Sequence, residues 1–301
     1  MTHLARAGFL LILVALTVGV SECAIAAQIK TPPETAAPQT LIVAGDIAGC
    51  DSTGDEATAA IVKQLEGTVV TTGDNAYPDG SLDQYRDCYE PSWGAFRDRT
   101  RPVPGNHEYR TRGAAGYFEY FGAAAGEAGK GWYAFDLGQW RIYMLNSNCK
   151  NVGCDASSEQ VRWLKADLAA NPRTCVAGVW HHPRFSSGRH GNHGEVAPFW
   201  DVLHEAGADV ILNGHEHSYE RLRPQDPDAH PDARGIRTFV VGTGGKSFYA
   251  MKKPKPNSEV RATDVNGILQ LSLYADHYEW TFVPAGGAAF RDRGTTHCSP
   301  G

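Results

Sequence analysis

Two short runs, Leu41-Ile42-Val43-Ala44 and Thr68-Val69-Val70-Thr71-Thr72, each lead straight into Gly-Asp, and between them Gly54 to Leu65 carries apolar residues at helical spacing. Buried strand, helix, buried strand is a β-α-β unit, and it commits this region to a parallel sheet with helices on its faces. Ligands in such sheets bind beyond the carboxyl ends of the strands, so Asp46 and Asp74 are expected side by side. Gly73-Asp74-Asn75-Ala76-Tyr77 places a phenol three residues after the second carboxylate. From one loop both groups can reach one metal ion, and Asp74 can reach a second. An Asp in a loop after a strand is by itself most often a turn former or a helix cap, so the weight falls on the rest of the chain.

Further along, a helix is expected around Leu82 to Phe96, and Arg101-Pro102-Val103-Pro104 then leads into Gly105-Asn106-His107-Glu108. Gly116 to Gly131, rich in Gly and Ala and spiked with aromatics, reads as a surface excursion near the site. Trp132 to Leu137 and Trp140 to Leu145 read as two strands around Gly138-Gln139. Ser157 to Leu168 reads as a helix capped by Ser157 or Ser158. Val176 to Trp180 is a buried strand ending in His181-His182-Pro183; adjacent histidines point in different directions, so at most one is expected to bind a metal. A helix from Pro198 to Ala206 and a strand from Ala208 to Leu212 precede Gly214-His215-Glu216-His217. Histidines two apart in an extended segment face the same side, which suits two nearby metals or one chelated metal. A satisfied core histidine does not account for two of them after a glycine. Arg237 to Val241, Ile268 to Tyr274 and Tyr278 to Val283 read as strands, the last two forming a hairpin around Ala275-Asp276. Gly242-Thr243-Gly244-Gly245 lacks the Lys-Ser/Thr ending of a nucleotide-binding loop and reads as a tight turn. The tail after Pro284 reads as irregular until Cys298.

At the amino end, Arg6, the apolar run from Phe9 to Val20 and Ala24-Ile25-Ala26 form the pattern of a secretory signal over residues 1–27. The run is shorter than the ~20 residues a membrane span needs, so the expectation is a secreted or periplasmic protein with no stable membrane anchor. Residues 28–39, rich in Pro, Thr and Ala, read as a flexible lead-in, and residues 40–301 as one domain. With a formal net charge of −6 and no basic stripe, no nucleic-acid-binding surface is evident. Beyond the signal stand Cys50, Cys88, Cys149, Cys154, Cys175 and Cys298, an even count that favours disulfides in an exported chain. Spacing suits Cys149 with Cys154. Cys50 with Cys88 and Cys175 with Cys298 is one way to pair the rest, and the other pairings stay open.

Taken in order, Gly45-Asp46, Gly73-Asp74-Asn75-Ala76-Tyr77, Gly105-Asn106-His107-Glu108, His181-x-Pro183 and Gly214-His215-Glu216-His217-Ser218-Tyr219-Glu220-Arg221 resemble the five blocks of the calcineurin-like metallophosphoesterases. Ala48 stands where many of that superfamily carry a histidine, and together with Tyr77 this is similar to the purple acid phosphatases. The resemblance implies a four-layer α-β-β-α sandwich of two mixed sheets with a dinuclear metal site at the strand ends. It implies Fe(III) at Asp46, Asp74, Tyr77 and His217, and a divalent Fe, Zn or Mn at Asp74, Asn106, His181 and His215. His181 rather than His182 fits because it stands two residues before Pro183. A histidine nine residues further on, His190, matches the substrate pocket of the small single-domain enzymes, and His193 could substitute for it. The extra β-rich domain of the plant-type enzymes has no room here.

The donor chemistry agrees: phenolate and carboxylate suit a hard trivalent ion, imidazole and amide oxygen a divalent one. Two metals ~3.5–4 Å apart turn a shared water into a hydroxide nucleophile. His107 could hold a phosphate oxygen, and His190 or His107 could protonate the leaving alkoxide. The implied activity is hydrolysis of small phosphate monoesters. The rivals are a phosphodiesterase or nucleotidase with the same site, and an exported metal-binding protein without turnover. The substrate, the second metal and the oligomeric state are not legible.

Overall fold

A computed structural model describes residues 1–2 and 37–299. The expected signal and lead-in therefore lie almost wholly outside the described residues, although Gln39, assigned to the lead-in, is the first residue of a strand. The strands are β1 (Gln39–Ala44), β2 (Thr68–Thr71), β3 (Thr100–Pro102), β4 (Tyr133–Leu137), β5 (Trp140–Met144), β6 (Cys175–Val179), β7 (Val210–Asn213), β8 (Tyr219–Gln225), β9 (Ile236–Val241), β10 (Ser258–Ala262), β11 (Gly267–Leu273), β12 (His277–Pro284) and β13 (Arg293–His297). The α-helices are α1 (Gly54–Val62), α2 (Leu82–Gln84), α3 (Ala115–Phe121), α4 (Cys149–Val152), α5 (Glu159–Ala170) and α6 (Ala197–Glu205).

The strands form two mixed sheets, ordered β13-β12-β11-β1-β2-β3 and β10-β8-β9-β7-β6-β5-β4. Parallel pairs β1–β2 and β2–β3 lie at one end of the first sheet, and β5–β6–β7–β9 run parallel through the second. Side-chain alternation along each strand builds the layers. Leu41 and Val43 of β1 face Val179, Leu212 and Phe239 in the core between the sheets. Ile42 and Ala44 face outward to Ala59 and Val62 of α1. The outer face of the second sheet, with Tyr143, Val176 and Ile211, is covered by Val161 and Leu164 of α5 and Phe199, Trp200 and Leu203 of α6. The result is the expected α/β arrangement of helix, sheet, sheet, helix, and among the described residues no helix is long and apolar enough to cross a membrane.

Three local expectations fail, one of them in part. Leu82 to Phe96 is not one helix: it breaks into α2, a π-turn at Tyr85–Tyr89 and a 3-10 segment at Trp93–Arg99, because Pro91 has no N–H to continue the ladder. Gly116 to Gly131 is a surface excursion only in its second half, where Gly122, Ala123 and Glu127 to Gly129 are exposed. Its first half belongs to α3, whose Tyr117, Tyr120 and Phe121 are buried, Tyr120 stacking on Tyr85 with ring centroids 4.7 Å apart. Gly116 makes that approach possible, since a Cβ there would meet the Gly80 carbonyl oxygen at 2.3 Å. The tail is not irregular: β13 pairs antiparallel with β12, setting Gly294 opposite Trp280. Disulfides join Cys50–Cys88, Cys149–Cys154 and Cys175–Cys298.

Candidate metal centre

Beyond β1 and β2 the two Gly-Asp loops continue side by side. Asp46 N–H donates to the Gly73 carbonyl (3.0 Å), Ile47 N–H to Asp74 (3.0 Å), Ala48 N–H to Asn75 (3.0 Å) and Tyr77 N–H back to Ala48 (2.8 Å). Asp46 (φ 57°), Asp74 (φ 51°) and His215 (φ 72°) all adopt left-handed backbone, which costs a residue with a Cβ on the order of 1–3 kcal/mol and concentrates at functional sites. The neighbouring glycines make room for the turns. At Gly73 (φ +90°) a Cβ would meet His181 Nδ1 at 2.7 Å, and at Gly105 one would meet Asp74 Oδ1 at 2.1 Å. Gly242 to Gly245 closes the site from behind through Gly244 N–H to the Gly45 carbonyl (2.9 Å) and Lys246 N–H to that of Asp46 (2.9 Å). No phosphate cradle is needed to explain these glycines.

All seven side chains expected as ligands come together. Tyr77 Oη lies 2.9 Å from Asp46 Oδ1, 3.2 Å from Asp74 Oδ2 and 3.1 Å from His217 Nε2. His181 Nε2 lies 3.1 Å from Asn106 Oδ1, 3.2 Å from His215 Nδ1 and 3.3 Å from Asp74 Oδ2. Two clusters therefore share Asp74, one containing the phenol and one the amide. Asp46, Asp74, Tyr77, His181 and His217 are buried. Two rings are fixed from behind: His181 Nδ1 is 2.8 Å from the Thr72 carbonyl, and His217 Nδ1 contacts that of Ser247. A ring N–H bonded to a carbonyl leaves the other nitrogen as a lone pair facing the cleft.

The donor set fits cations. Burial and then Asp74 push the Asp46 carboxyl up to about 8, with His181 opposing. Burial and both carboxylates push the Tyr77 phenol well above its ordinary value. At His181 burial works the other way, but Asp74 and Asp46 prevail and raise the imidazole to about 9. His181 in turn helps hold Asp74 well below the usual carboxylate range, against the effect of burial. The cluster thus demands positive charge at its centre, and a metal competes there with a proton. Asp46, Asp74 and His181 offer ligand atoms within 4.8 Å of one another, as do His181, His182 and His215. His182 is turned to Ser147, with Nδ1 2.8 Å from its Oγ, and burial and His181 depress its pKa strongly.

His107 and His190 flank the cleft. The backbone N–H of His107 donates to Asp74 Oδ1 (2.8 Å), and its ring packs 4.3 Å from that of Tyr77. The His190 ring lies 4.4 Å from that of His215. Together with Asp74, Asn106, Arg110 and Tyr249 they surround a space of about 110 Å3. A roomier cavity of about 510 Å3 near Leu168 and Val202 shares none of these residues.

Sequence reasoning passed over two buried glutamates and one aromatic. Glu108 accepts from the N–H groups of Asp74 (3.0 Å), Asn75 (2.8 Å), Ala76 (3.3 Å) and Gly105 (2.6 Å), and from Tyr85 Oη (3.1 Å). It therefore ties the Asp74 loop to the Asn106 loop. Glu216 Oε1 accepts from His190 and Gly191 N–H (2.7 and 2.8 Å), and its Oε2 lies 3.3 Å from His190 Nδ1 without hydrogen-bond alignment. Tyr249 stacks on His217 at 4.0 Å and 15°. The available signal was an acid beside each histidine in Gly105-Asn106-His107-Glu108 and His215-Glu216-His217; nothing comparable marks Tyr249.

The sequence profile of the family described as calcineurin-like phosphoesterase matches residues 36–219. Mouse acid phosphatase type 7 is 29% identical over 196 residues, covering 54% of this chain and 44% of the relative. Purple acid phosphatase 15 of Arabidopsis thaliana is 30% identical over 181 residues, covering 53% and 33%. The match thus spans less than half the length of either relative. The structure of purple acid phosphatase PPD1 from yellow lupin seeds shares the fold, with a TM-score of 0.75 at 18% identity over 88% of this chain and 54% of that one.

Proposed function

Because this chain belongs to the calcineurin-like phosphoesterase family, we propose that it hydrolyses phosphate monoesters with two metal ions, as an exported acid-phosphatase-like enzyme. One observation carries the reading: two ligand clusters share Asp74, and one of them contains a buried phenol. In this reading Asp46, Asp74, Tyr77 and His217 hold Fe(III), and Asp74, Asn106, His181 and His215 hold a divalent Fe, Zn or Mn. Bound there, the metals supply Lewis acidity and activate a water.

The chain's own residues do the rest. Arg110 and His107, at the edge of the 110 Å3 space, bind and orient the phosphate oxygens, since a guanidinium matches that geometry. His190, with Nδ1 turned to Glu216, keeps Nε2 to deliver a proton to the leaving alkoxide. Tyr249 covers the His217 side and limits water there. His190→Ala is then expected to slow esters of poor leaving groups on the order of 100-fold and activated aryl esters far less. A uniform loss across a leaving-group series would remove His190 from the acid role. The function itself is tested by initial rates on matched aryl mono- and diesters with the metallated protein. Faster monoester turnover is expected, and the reverse order would make it a phosphodiesterase.

A further inference from the structure

The end of the first sheet remote from the candidate metal centre carries another group of metal-binding side chains. Leu273 of β11 pairs with Gln39, where β1 begins, whereas Asp46 follows Ala44, where β1 ends. The turn joining β11 to β12 therefore lies a full strand length from Asp46. That turn supplies Asp276, and β12 starts with His277, directly opposite His297 at the end of β13. Opposite residues of an antiparallel pair project from the same face with Cβ atoms ~4.5–5.5 Å apart, and here the two rings are 5.6 Å apart. Tyr278, the next residue, points into the core, so both histidines project from the other face, where His297 and Asp276 are exposed. Asp276 Oδ1 stands 2.7 Å from His277 Nδ1, and one donor atom from each of the three residues lies within 4.8 Å of the others.

These donors stand on a fixed frame. Cys298 N–H donates to the Asp276 carbonyl (2.8 Å) and Tyr274 N–H to that of His277 (3.0 Å). The Tyr274 ring lies flat on that of His277, 4.1 Å away at 8°, and its carbonyl accepts from Trp140 Nε1 (2.8 Å). The Cys175–Cys298 disulfide pins the residue next to His297. Donors fixed from behind lose less freedom when an ion arrives. Two imidazoles with one carboxylate suit Zn, Cu or Ni, whereas Mg and Ca prefer all-oxygen shells, and three protein donors leave a position for water.

We propose that Asp276, His277 and His297 form a surface site for one divalent cation of the zinc class, which staples the tail strand β13 to β12. The ion takes the place of the proton that Asp276 and His277 share and releases it to solvent. The staple has a use, because β13 is an edge strand paired with β12 alone. The site shares no residue with the candidate metal centre and does not depend on the proposed hydrolysis.

The test counts zinc by equilibrium dialysis of the metallated full chain at micromolar free Zn2+, beside His277→Ala and His297→Ala, with thermal unfolding on the same samples. The native protein is expected to hold one more ion per chain than either variant, and its unfolding temperature to rise further with zinc than theirs. Being a difference, the count does not depend on what fills the candidate metal centre. Loss of either imidazole is expected to weaken the site by about 100-fold or more, beyond the roughly 10–100-fold that loss of a supporting group costs. Asp276→Asn, which keeps an oxygen and loses a charge, is expected to weaken it by about tenfold. Equal zinc content in the native protein and the histidine variants overturns the site, and an extra ion that leaves the unfolding temperature unmoved overturns the staple. Either histidine variant decides alone should the other fail to fold.

Discussion

Asp74→Asn is expected to lower kcat/KM for an aryl monoester on the order of 1000-fold or more, and to lower the metal content of the purified protein from two ions per chain to one or fewer. The size follows from Asp74's position as the residue shared by both clusters: its Oδ2 lies 3.2 Å from Tyr77 Oη and 3.3 Å from His181 Nε2. Lewis-acid stabilisation of a phosphoryl transition state is worth several kcal/mol, and each 1.36 kcal/mol is tenfold in rate. An amide of the same shape keeps an oxygen but loses the charge that offsets two cations. Metal analysis and rate are measured on the same sample, with circular dichroism to verify the fold. A variant that retains two ions and most of its rate would remove Asp74 from the shared position.

The second large effect is expected at a residue that touches no proposed metal. Glu108→Ala leaves four backbone N–H groups and a tyrosine hydroxyl without their buried acceptor. Leaving a buried donor unpaired costs about 1–3 kcal/mol. Because the groups relax together, a total loss of about 3 kcal/mol or more is expected. Burial, then the Asp74 charge, pushes the Glu108 carboxyl up to about 7, with the Gly105 and Asn75 N–H groups pulling the other way. Glu108→Gln, which keeps one acceptor oxygen, should therefore lose less than the alanine. Because Glu108 ties the Asp74 loop to the Asn106 loop, metal affinity should also weaken, by roughly 10–100-fold as is usual when a ligand's support is removed. Denaturant unfolding and metal titration measure the two effects, and an alanine variant unchanged in both would contradict the bracing role.

The two Gly-Asp turns are legible because an apolar β-branched run that stops at glycine has few other readings, and the order of strands and helices then sets the loops side by side. His215 and His217 are legible from period two. The bracing roles of Glu108 and Glu216 are not: an acid beside each histidine is visible, but most of their partners are backbone N–H groups on loops distant in sequence, which no pattern of residue types records. The partial failure at Gly116 to Gly131 has a similar cause: Gly and Ala read as a loop composition, yet Gly116 is small because α3 must approach the Gly80 carbonyl closely, where it buries Tyr117 and Tyr120. The tail strand β13 escapes notice because its residues, Arg-Gly-Thr-Thr-His, have no apolar face; it forms by pairing with β12 beside the Cys175–Cys298 bond.

In the proposed dinuclear centre the iron is held by Tyr77. This assignment is tested most directly by metal analysis and a visible absorption spectrum of the native protein alongside Tyr77→Phe. Two metal ions per chain are expected, at least one of them iron, with a visible band that disappears in the phenylalanine variant. A colourless, fully metallated and active native protein, or a band that persists in Tyr77→Phe, would contradict it.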